Sequence, residues 1–356
     1  MRVATKANAA PSLTPRQIFE RLDRYVIGQE RAKRAVAIAA YNHVKRCAVR
    51  RRDRRSILKK SNILLIGPTG SGKTHLARNL ARILEVPFTV VDATEYTEAG
   101  YYGKDIEVMV AELLFKTDHS VEEAERGVIF VDEIDKIARR TQGGRTGAGG
   151  RDIGGEGVQQ ALLKLLEGRE IFVPLNITQH WNKHDFVQVD TSDILFICAG
   201  TFTDLHAGAA SRSVGFGAKE GRAGGRPKIS QRDLLEYGML AELLGRLPVV
   251  VGLTPLRAQE LRTILTEPPD SLVREYRERL DVDGIELSFS DGALREIVDC
   301  AVAKGVGARG LRAIMEEVVA DILFEAPERR GEKIAIDRRY VVRRLANLDA
   351  ASLGDA

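Results

Sequence analysis

One segment has the glycine and lysine spacing of a phosphate-binding loop. It reads GPTGSGKT and matches the pattern GxxxxGK[ST]. Glycines let successive backbone N–H groups turn inward around phosphate oxygens, and a helix that starts here adds positive potential. Lys73 is expected to reach the β- and γ-phosphates of a nucleoside triphosphate, and the Thr74 hydroxyl to hold Mg²⁺. The predicted nucleotide-binding residues are Gly67, Pro68, Thr69, Gly70, Ser71, Gly72, Lys73 and Thr74.

Two adjacent carboxylates could complete such a site. Asp132 and Glu133 directly follow the apolar run Val128–Val131. Asp132 suits the coordination shell of Mg²⁺, and Glu133 suits a base that polarises water for attack on the γ-phosphate. By themselves the two acids would be interpreted as a cap on the next helix. The phosphate-binding loop upstream makes hydrolysis of a nucleoside triphosphate the favoured interpretation.

Phosphoryl transfer also needs positive charge where negative charge develops in the transition state. Two arginines beside glycines are candidates for this charge. Arg246 lies just before the last apolar run of the α/β region, and Arg309 opens a helical pattern further along the chain. Composition alone favours the simpler interpretation that each arginine forms a surface ion pair.

Five short apolar runs are expected to form the frame that positions these residues. They are continuous rather than alternating, which indicates strands buried on both faces of a parallel sheet. Helical patterns such as Thr74–Leu84 and Val158–Leu166 separate several of them, as is typical of a three-layer α/β domain. Residues 14–46 are also predicted to be helical, with an interruption at Tyr25–Gln29. The five runs are Ile63–Ile66, Phe88–Val91, Val128–Val131, Ile194–Ile197 and Val249–Leu253.

The character of the sequence changes after Leu253. Thr254-Pro255 and Pro268-Pro269 interrupt it, and the remainder is largely helical with short strand candidates at Ile285–Phe289 and Lys333–Ile336. We therefore predict a tail over 1–12, a large α/β nucleotide-binding domain over 13–253, a smaller helical domain over 254–347 and a tail over 348–356.

Two segments have a biased composition. Glycine occupies eight of the fifteen positions 143–157, which predicts a mobile loop rather than a helix. Between Lys45 and Lys60 there are nine basic residues and one acid. Such a run could bind the phosphates of a nucleic acid. It has no interleaved aromatic residues, so a solvated connecting loop is the favoured interpretation.

The overall composition excludes several classes of protein. The 356 residues are 44% hydrophobic and 29% charged, with a net charge of +4, as is ordinary for a folded chain of two domains. Apolar runs stay shorter than the ~18 residues of a membrane span, and residues 1–12 lack the apolar core of a secretion signal. We therefore expect a cytoplasmic protein with no membrane partner. Three isolated cysteines and no CxxC argue against disulfides and zinc.

Long stretches of the sequence resemble the ClpX family of AAA+ protein unfoldases. The resemblance spans about residues 13–347. The related unfoldase HslU also fits the opening TPRQIFERLDRYVIGQ, but GEGVQQALLK, GARGLR and the lack of room for a large insertion favour ClpX. The matching segments are YVIGQERAK, SNILLIGPTGSGKT, DATEYTEAGYYGKD, VIFVDEIDKIAR, GEGVQQALLKLLEG, QVDTSDILFICAG, GRLPVV and GARGLR.

The resemblance implies a P-loop AAA+ fold and a homo-hexameric ring with ATP and Mg²⁺ between neighbouring subunits. Such rings unfold protein substrates and feed them to a barrel-shaped ClpP-like peptidase. Val26 and Ile27 would then line the adenine pocket, and Thr201 would sense the γ-phosphate. Arg246 would reach into the neighbouring subunit's site as a finger, whereas Arg309 would act within its own subunit.

The resemblance also implies three segments that contact other proteins. The two glycines that flank the first segment favour an exposed loop tip over a core position for its tyrosines. Packing of Phe216 onto its own domain stays an alternative to peptidase docking. The segments are a substrate-gripping pore loop with Tyr101 and Tyr102, a second pore loop with Arg151, Asp152 and Ile153, and a docking tripeptide of Val214, Gly215 and Phe216.

The sequence departs from the family in four places. The family's N-terminal zinc-binding domain has no counterpart here, and Tyr102 replaces the usual valine. Asn182-Lys183-His184 stands where the family carries a substrate-selecting Arg-Lys-His loop. Val214 replaces isoleucine in the docking tripeptide, a loss of one methylene that costs about 1 kcal/mol. Adaptor use and the preference among substrate tags therefore stay open.

Two other functions compete with a peptidase-coupled unfoldase. A remodelling chaperone that works without a peptidase shares all the motifs, and the missing N-terminal domain keeps this alternative open. A nucleic-acid motor would need basic residues at the pore-loop tip to follow phosphates. The tip is Tyr101-Tyr102 with only Lys104 beside it, so we predict protein substrates and no nucleic acid.

Overall fold

The structure is a computed structural model in which two compact units are described. The first unit comprises residues 13–22, 30–68 and 73–253, and the second comprises 23–29, 69–72 and the residues from 254 onward. Side chains are described as far as residue 346. The described residues are 13–53, 57–97, 104–139, 155–175, 186–203, 205 and 229–351.

A five-stranded parallel sheet forms the centre of the first unit. Its strand order is β2-β5-β8-β1-β9. All four residues of β1 and all six of β8 are buried, because helices cover both faces of the inner strands. This confirms the predicted α/β class with a parallel sheet. The strands are β1 (Ile63–Ile66), β2 (Phe88–Asp92), β5 (Val128–Asp132), β8 (Leu195–Gly200) and β9 (Val249–Gly252).

The first helix starts where local signals predict. Thr14 Oγ1 accepts a hydrogen bond from Gln17 N at 3.3 Å, and Thr14 N donates to Gln17 Oε1 at 2.9 Å, so the first helix begins with a reciprocal cap. The helices are α1 (Pro15–Asp23), α2 (Glu30–Arg52), α3 (Lys73–Leu84), α4 (Val108–Phe115), α5 (Val121–Ala124), α6 (Gly155–Glu167), α7 (Gln231–Tyr237) and α8 (Ala241–Gly245).

Two small sheets were not predicted. The strands β3 (Tyr96–Thr97) and β4 (Lys104–Asp105) pair in parallel. The strands β6 (Glu170–Pro174) and β7 (Phe186–Asp190) form an antiparallel pair with Ile171 opposite Val189. Their alternation is only a few residues long, which explains why the sequence pattern did not reveal them.

Two predictions about loops were wrong in part. The segment 143–157 was predicted to be a loop, but α6 already begins at Gly155, because the apolar face of the helix reaches back to Gly157 and Val158. The basic run 45–60 was predicted to be a solvated connection, but its residues 45–52 form the last two turns of α2.

Internal contacts explain why three cations of this basic run are not simply solvated. Arg46 is buried and donates to Ser192 O at 2.6 Å and to Asp193 Oδ1 at 3.1 Å. Arg50 pairs with Asp190 Oδ2 at 2.7 Å. Burial lowers the pKa of the Lys60 ammonium to about 7. Three of the nine cations therefore serve the fold of the first unit.

The second unit is mainly helical. Two short parallel strands, β10 (Glu286–Phe289) and β11 (Lys333–Ile336), accompany the helices. The side chains of Tyr276, Leu311 and Met315 are fully buried in its core. The part of the chain that the structure describes contains no helix long and apolar enough to cross a membrane. The helices are α9 (Ala258–Thr266), α10 (Leu272–Asp281), α11 (Asp291–Ala303), α12 (Gly307–Glu325) and α13 (Arg338–Ala351).

A buried asparagine connects several elements of the first unit. Asn62 is 1% exposed and lies directly before β1. Its Nδ2 donates to Leu166 O at 3.3 Å and to Arg246 O at 3.1 Å, and its Oδ1 accepts from Phe196 N at 3.4 Å. The side chain thus joins the end of α6, the segment after α8 and strand β8 around the start of β1.

We expect Asn62→Ala to lower the free energy of unfolding by about 2–4 kcal/mol, because two carbonyls and one amide then lose a buried partner. Urea denaturation followed by circular dichroism measures this loss. The matched control is Gln160→Ala on the exposed side of α6, for which we expect less than about 0.5 kcal/mol. Equal losses for the two variants would show that the side chain of Asn62 is not a structural cross-link.

Candidate functional site

The predicted site residues of the first unit follow three neighbouring strands of the sheet. Strands β5, β8 and β1 are adjacent and parallel, so their carboxyl ends meet at one edge. Asp132 ends β5, Gly200 ends β8, and Gly67 follows β1. Gly67 N donates to Gly200 O at 3.2 Å, which extends the pairing into the start of the predicted loop. Such an edge is where open α/β sheets bind ligands.

Lys73 is held by the backbone of the loop that precedes it. The side chain is 8% exposed. Its Nζ donates to Gly67 O at 2.7 Å and to Pro68 O at 3.2 Å. Both carbonyls lie in the loop itself, so the ammonium group is kept beside the segment whose glycines were predicted to surround phosphates. The position suits a cation that binds phosphate oxygens.

Thr74 and Asp132 come together across 58 residues of sequence. Thr74 Oγ1 lies 3.5 Å from Asp132 Oδ2. A hydroxyl and a carboxylate oxygen are hard ligands of the kind that Mg²⁺ takes together with phosphate oxygens and water. The two residues therefore fit the ion that the sequence predicted for them.

The backbone at Glu133 is strained. Its φ is 56°, in the left-handed region that residues with a Cβ seldom adopt. Glu133 N donates to Asp132 Oδ1 at 3.0 Å, which fixes the turn after β5. The Glu133 side chain is exposed, so its carboxylate is available to a water molecule. Strain of this kind is held by the surrounding structure and is frequent at functional sites.

Asp135 is a site residue that the sequence analysis missed. It is 5% exposed, and its Oδ2 accepts from Thr201 Oγ1 at 2.8 Å and from Phe202 N at 3.2 Å. The hydroxyl hydrogen of Thr201 is donated to Asp135. Thr201 Oγ1 can therefore accept, but not donate, a hydrogen bond with any further group. The carboxylate fixes the segment after β8 against the segment after β5. The signal in the sequence that could have identified Asp135 is its position two residues after Glu133.

Gly200 allows this close approach. A Cβ at this position would lie 2.8 Å from Asp135 Oδ1 and 2.6 Å from the Phe202 ring. Contacts this short do not occur with real side chains, so a larger residue would push Asp135 and Thr201 apart. The last residue of β8 is therefore glycine for a steric reason that concerns the site.

The second unit holds the residues Thr69–Gly72 of the predicted loop. Gln29, which the sequence analysis also missed, donates from Nε2 to Ser71 O at 3.3 Å and to Thr254 O at 2.7 Å. Val26 is 4% exposed, and Ile27 is half-buried. Gln29 follows these two predicted adenine residues directly, and this adjacency was the signal that could have identified it.

The start of α12 also contacts this part of the loop. Ala308 N donates to Gly70 O at 3.4 Å. Gly70 has a φ of 76°, and a Cβ there would lie 2.9 Å from Val306 O, so glycine is required. Arg309 is the next residue after Ala308, and its side chain is exposed. Within the second unit, Arg309 is thus the residue directly after a backbone contact with Gly70.

Ser71 provides a test of whether the loop fits a ligand. Its Oγ is buried and has no hydrogen-bond partner among the residues that the structure describes. A Cβ at Gly72, whose φ is 93°, would meet open space. A buried hydroxyl without a partner is costly unless a ligand or water supplies one. These observations fit a phosphate group bound within residues 69–72.

Arg246 contacts an acid of the first unit. Its Nη2 lies 2.8 Å and its Nε 3.3 Å from Glu167 Oε1. The side chains are 52% and 43% exposed, so this is the surface ion pair that composition alone favoured. Within the described residues Arg246 does not hydrogen-bond to the loop that contains Lys73.

Three predicted segments lie outside the described residues. Their roles therefore stay predictions. They are the first pore loop with Tyr101 and Tyr102, the second pore loop with Arg151, Asp152 and Ile153, and the docking tripeptide Val214, Gly215 and Phe216.

Comparisons with known proteins identify relatives over nearly the whole chain. The profile of the AAA domain (Cdc48 subfamily) matches residues 58–250. The profile of the C-terminal, D2-small domain of ClpB protein matches residues 256–335. The two profiles divide the chain close to the position where the sequence character changes, after Leu253.

Three curated relatives have closely related names. ATP-dependent Clp protease ATP-binding subunit ClpX 2 of Wolinella succinogenes is 44% identical over 92% of this chain and 82% of its own length. The ATP-dependent Clp protease ATP-binding subunits ClpX of Bacteroides thetaiotaomicron and Treponema denticola are 42% and 40% identical. These two alignments cover 98% and 96% of this chain and 86% and 84% of the relatives.

We expect Thr201→Val to lower the free energy of unfolding by about 1–3 kcal/mol, because Asp135 Oδ2 then accepts only from Phe202 N. Thr201→Ser keeps the hydroxyl and should stay within about 1 kcal/mol of the unchanged protein. Urea denaturation of both variants compares the two. Valine lacks the hydroxyl and serine lacks the methyl group, so equal destabilisation by the two would show that the hydrogen bond to Asp135 contributes no more than the methyl packing.

Proposed function

This chain belongs to the ClpX family of AAA+ ATPases, and we propose that it is an ATP-driven unfoldase that feeds protein chains to a ClpP-like peptidase. The observation that carries the proposal is an identity of 40–44% over more than nine-tenths of the chain with Clp protease ATP-binding subunits. The sequence resemblance to this family is thereby confirmed. The phosphate-binding loop and the acids after β5 supply the groups that ATP hydrolysis requires.

The ATP site is proposed to work through five groups. Lys73 binds the β- and γ-phosphates, and Glu133 accepts a proton from the attacking water. Thr201 is proposed to sense the γ-phosphate. Its hydroxyl hydrogen binds Asp135, so it would do this by accepting a hydrogen bond from the attacking water beside the γ-phosphate. Thr74 and Asp132 would hold Mg²⁺, which when bound neutralises charge on the phosphate oxygens. The contacts between Thr74 and Asp132 and between Thr201 and Asp135 support these assignments.

The remaining assignments require several copies of the chain to assemble into a ring. We propose a homo-hexamer in which residues 13–253 act as a large domain and 254–347 as a small one. Val26 and Ile27 line the adenine pocket, Arg309 acts on the nucleotide of its own subunit, and Arg246 acts on that of its neighbour. The exposure of Arg246 supports this role, because a buried arginine could not reach another subunit.

Protein contacts complete the proposal. Tyr101 and Tyr102 grip the substrate, Arg151, Asp152 and Ile153 form a second pore loop, and Val214, Gly215 and Phe216 dock the peptidase. Three free cysteines agree with the proposed cytoplasmic location. A remodeller that works without a peptidase is the second candidate, because it would share all the motifs of the nucleotide site and the pore loops.

Two substitutions test the nucleotide site. Glu133→Gln should keep ATP binding and reduce hydrolysis by about 10²–10⁴-fold, because the loop and the Mg²⁺ ligands stay in place while the base is lost. Lys73→Ala should weaken ATP binding itself. Fluorescent-nucleotide binding and phosphate release measure the two effects separately. Hydrolysis by Glu133→Gln at the rate of the unchanged protein would remove Glu133 from the proposed role.

The unfoldase activity is tested with a stable fluorescent protein that carries a degradation tag. The unchanged protein should abolish its fluorescence in the presence of ATP, and with a ClpP-like peptidase it should also degrade it. Tyr101→Ala should prevent both losses, because the pulling contact is removed. Phe216→Ala should still unfold the substrate but no longer deliver it, since six weak docking contacts act together.

The pattern of results distinguishes the candidates. Unfolding without degradation by the unchanged protein would favour the peptidase-free remodeller. No ATP-dependent loss of fluorescence with any of several tags would overturn the unfoldase proposal. The denatured form of the same tagged protein is the control, because its degradation requires docking and transport but little unfolding.

A further inference from the structure

The structure assigns to Glu167 the role of a positioning residue for Arg246. Glu167 is the last residue of α6, and its carboxylate holds the guanidinium in one orientation. This inference rests on the proposed function, because the orientation of Arg246 matters only if the guanidinium acts on a nucleotide. Glu167 lies in the segment GEGVQQALLKLLEG, but the sequence analysis gave it no role, and it stands 79 residues before Arg246.

The contact leaves the opposite end of the guanidinium free. Arg246 Nε and Nη2 both approach the same oxygen, Glu167 Oε1, at 3.3 and 2.8 Å. Nη1 has no hydrogen bond in the part of the chain that the structure describes. One edge of the planar group is therefore fixed by the carboxylate, and the two N–H groups on Nη1 are available to an anion. A guanidinium can bind two acceptors at once because its five donors point in fixed directions.

Hydrogen bonds fix the backbone at or next to both Glu167 and Arg246. Asn62 Nδ2 donates to Arg246 O and to Leu166 O, so one amide group binds Arg246 itself and the residue before Glu167. Arg246 N also donates to Leu243 O at 3.0 Å. An ordinary surface ion pair loses much of its effect because two flexible side chains must be ordered. Here the backbones that carry the two side chains are already fixed relative to each other.

The pairing of the half-exposed Arg246 with a carboxylate needs an explanation. A half-exposed arginine that serves only solubility requires no carboxylate at 2.8 Å. A guanidinium that must meet a phosphate of another subunit has to be presented in one direction, since small misplacements of catalytic groups lower rates strongly. Glu167 supplies that direction, and because the pair stays partly exposed it does not prevent the approach of an anion.

The experiment compares Glu167→Ala, Glu167→Gln, Arg246→Ala and the double variant in steady-state ATP hydrolysis by the assembled full-length chain. Glu167→Ala should lower kcat by about tenfold and change KM by less than about twofold, because orientation is lost while ATP binding is not. Glu167→Gln should retain more activity, since its amide oxygen still accepts from Nε and Nη2. The double variant should be no slower than Arg246→Ala alone, because nothing remains to be positioned.

The control separates positioning from general stability. Glu122 pairs with Arg126 on the surface of the same unit, and Glu122→Ala should leave kcat unchanged. Size-exclusion chromatography and thermal unfolding confirm that all variants assemble and fold alike.

Three outcomes contradict the assignments at different levels. Arg246→Ala with the activity of the unchanged protein would overturn the proposed finger and, with it, the role of Glu167. A slow Arg246→Ala together with an unaffected Glu167→Ala would overturn only the positioning role. The same would follow if Glu167→Ala lowered kcat by an equal factor in the presence and absence of Arg246.

Discussion

The parallel pairing of β5, β8 and β1 is the constraint on which the site depends. It places Asp132, Gly200 and Gly67 at one edge of the sheet, although they are far apart in sequence. The hydrogen bond from Gly67 N to Gly200 O continues this pairing beyond the last strand residue. The inner strands are buried along their whole length, so a shift in register would disrupt the packing of their apolar side chains against the helices on both faces. The spacing of the polar groups at its edge is therefore as fixed as the core itself.

Buried polar side chains extend this rigidity to the loops. Asn62 fixes the segments before β1 and after α8, and Asp135 fixes Thr201 against the turn after β5. Gln159 does the same on α6, where its Nε2 donates to Ile137 O at 2.8 Å and its Oε1 accepts from Leu240 N at 2.8 Å. Each side chain is buried and binds more than one partner, so removing it would leave several groups without a hydrogen bond. Loops that would otherwise move are positioned in this way by the sheet and α6.

The charged residues divide into two groups by burial. Arg46 and Lys60 are used within the fold, where their partners are carbonyls and acids of the turn at residues 190–193. Arg246 and Arg309 remain exposed. Of these four side chains, the two exposed arginines are the ones that a ligand could reach. The concentration of positive charge along the sequence is thus a poor guide to where charge is available, because burial and pairing decide it.

Local sequence patterns were enough to predict the chemistry of the site and the sheet that positions it. The GxxxxGK[ST] loop, the acids after Val128–Val131 and the continuous apolar runs depend on local spacing, and they predicted the phosphate ligands, the parallel sheet and the family. Which distant groups meet depends instead on the folded structure. Thr201 contacts Asp135 across 66 residues, and Arg246 contacts Glu167 across 79. Strand order and loop path bring these partners together, and neither is encoded in the spacing of neighbouring residues. The start of α6 at Gly155 has the same cause, because tertiary packing overcomes the low helix propensity of glycine.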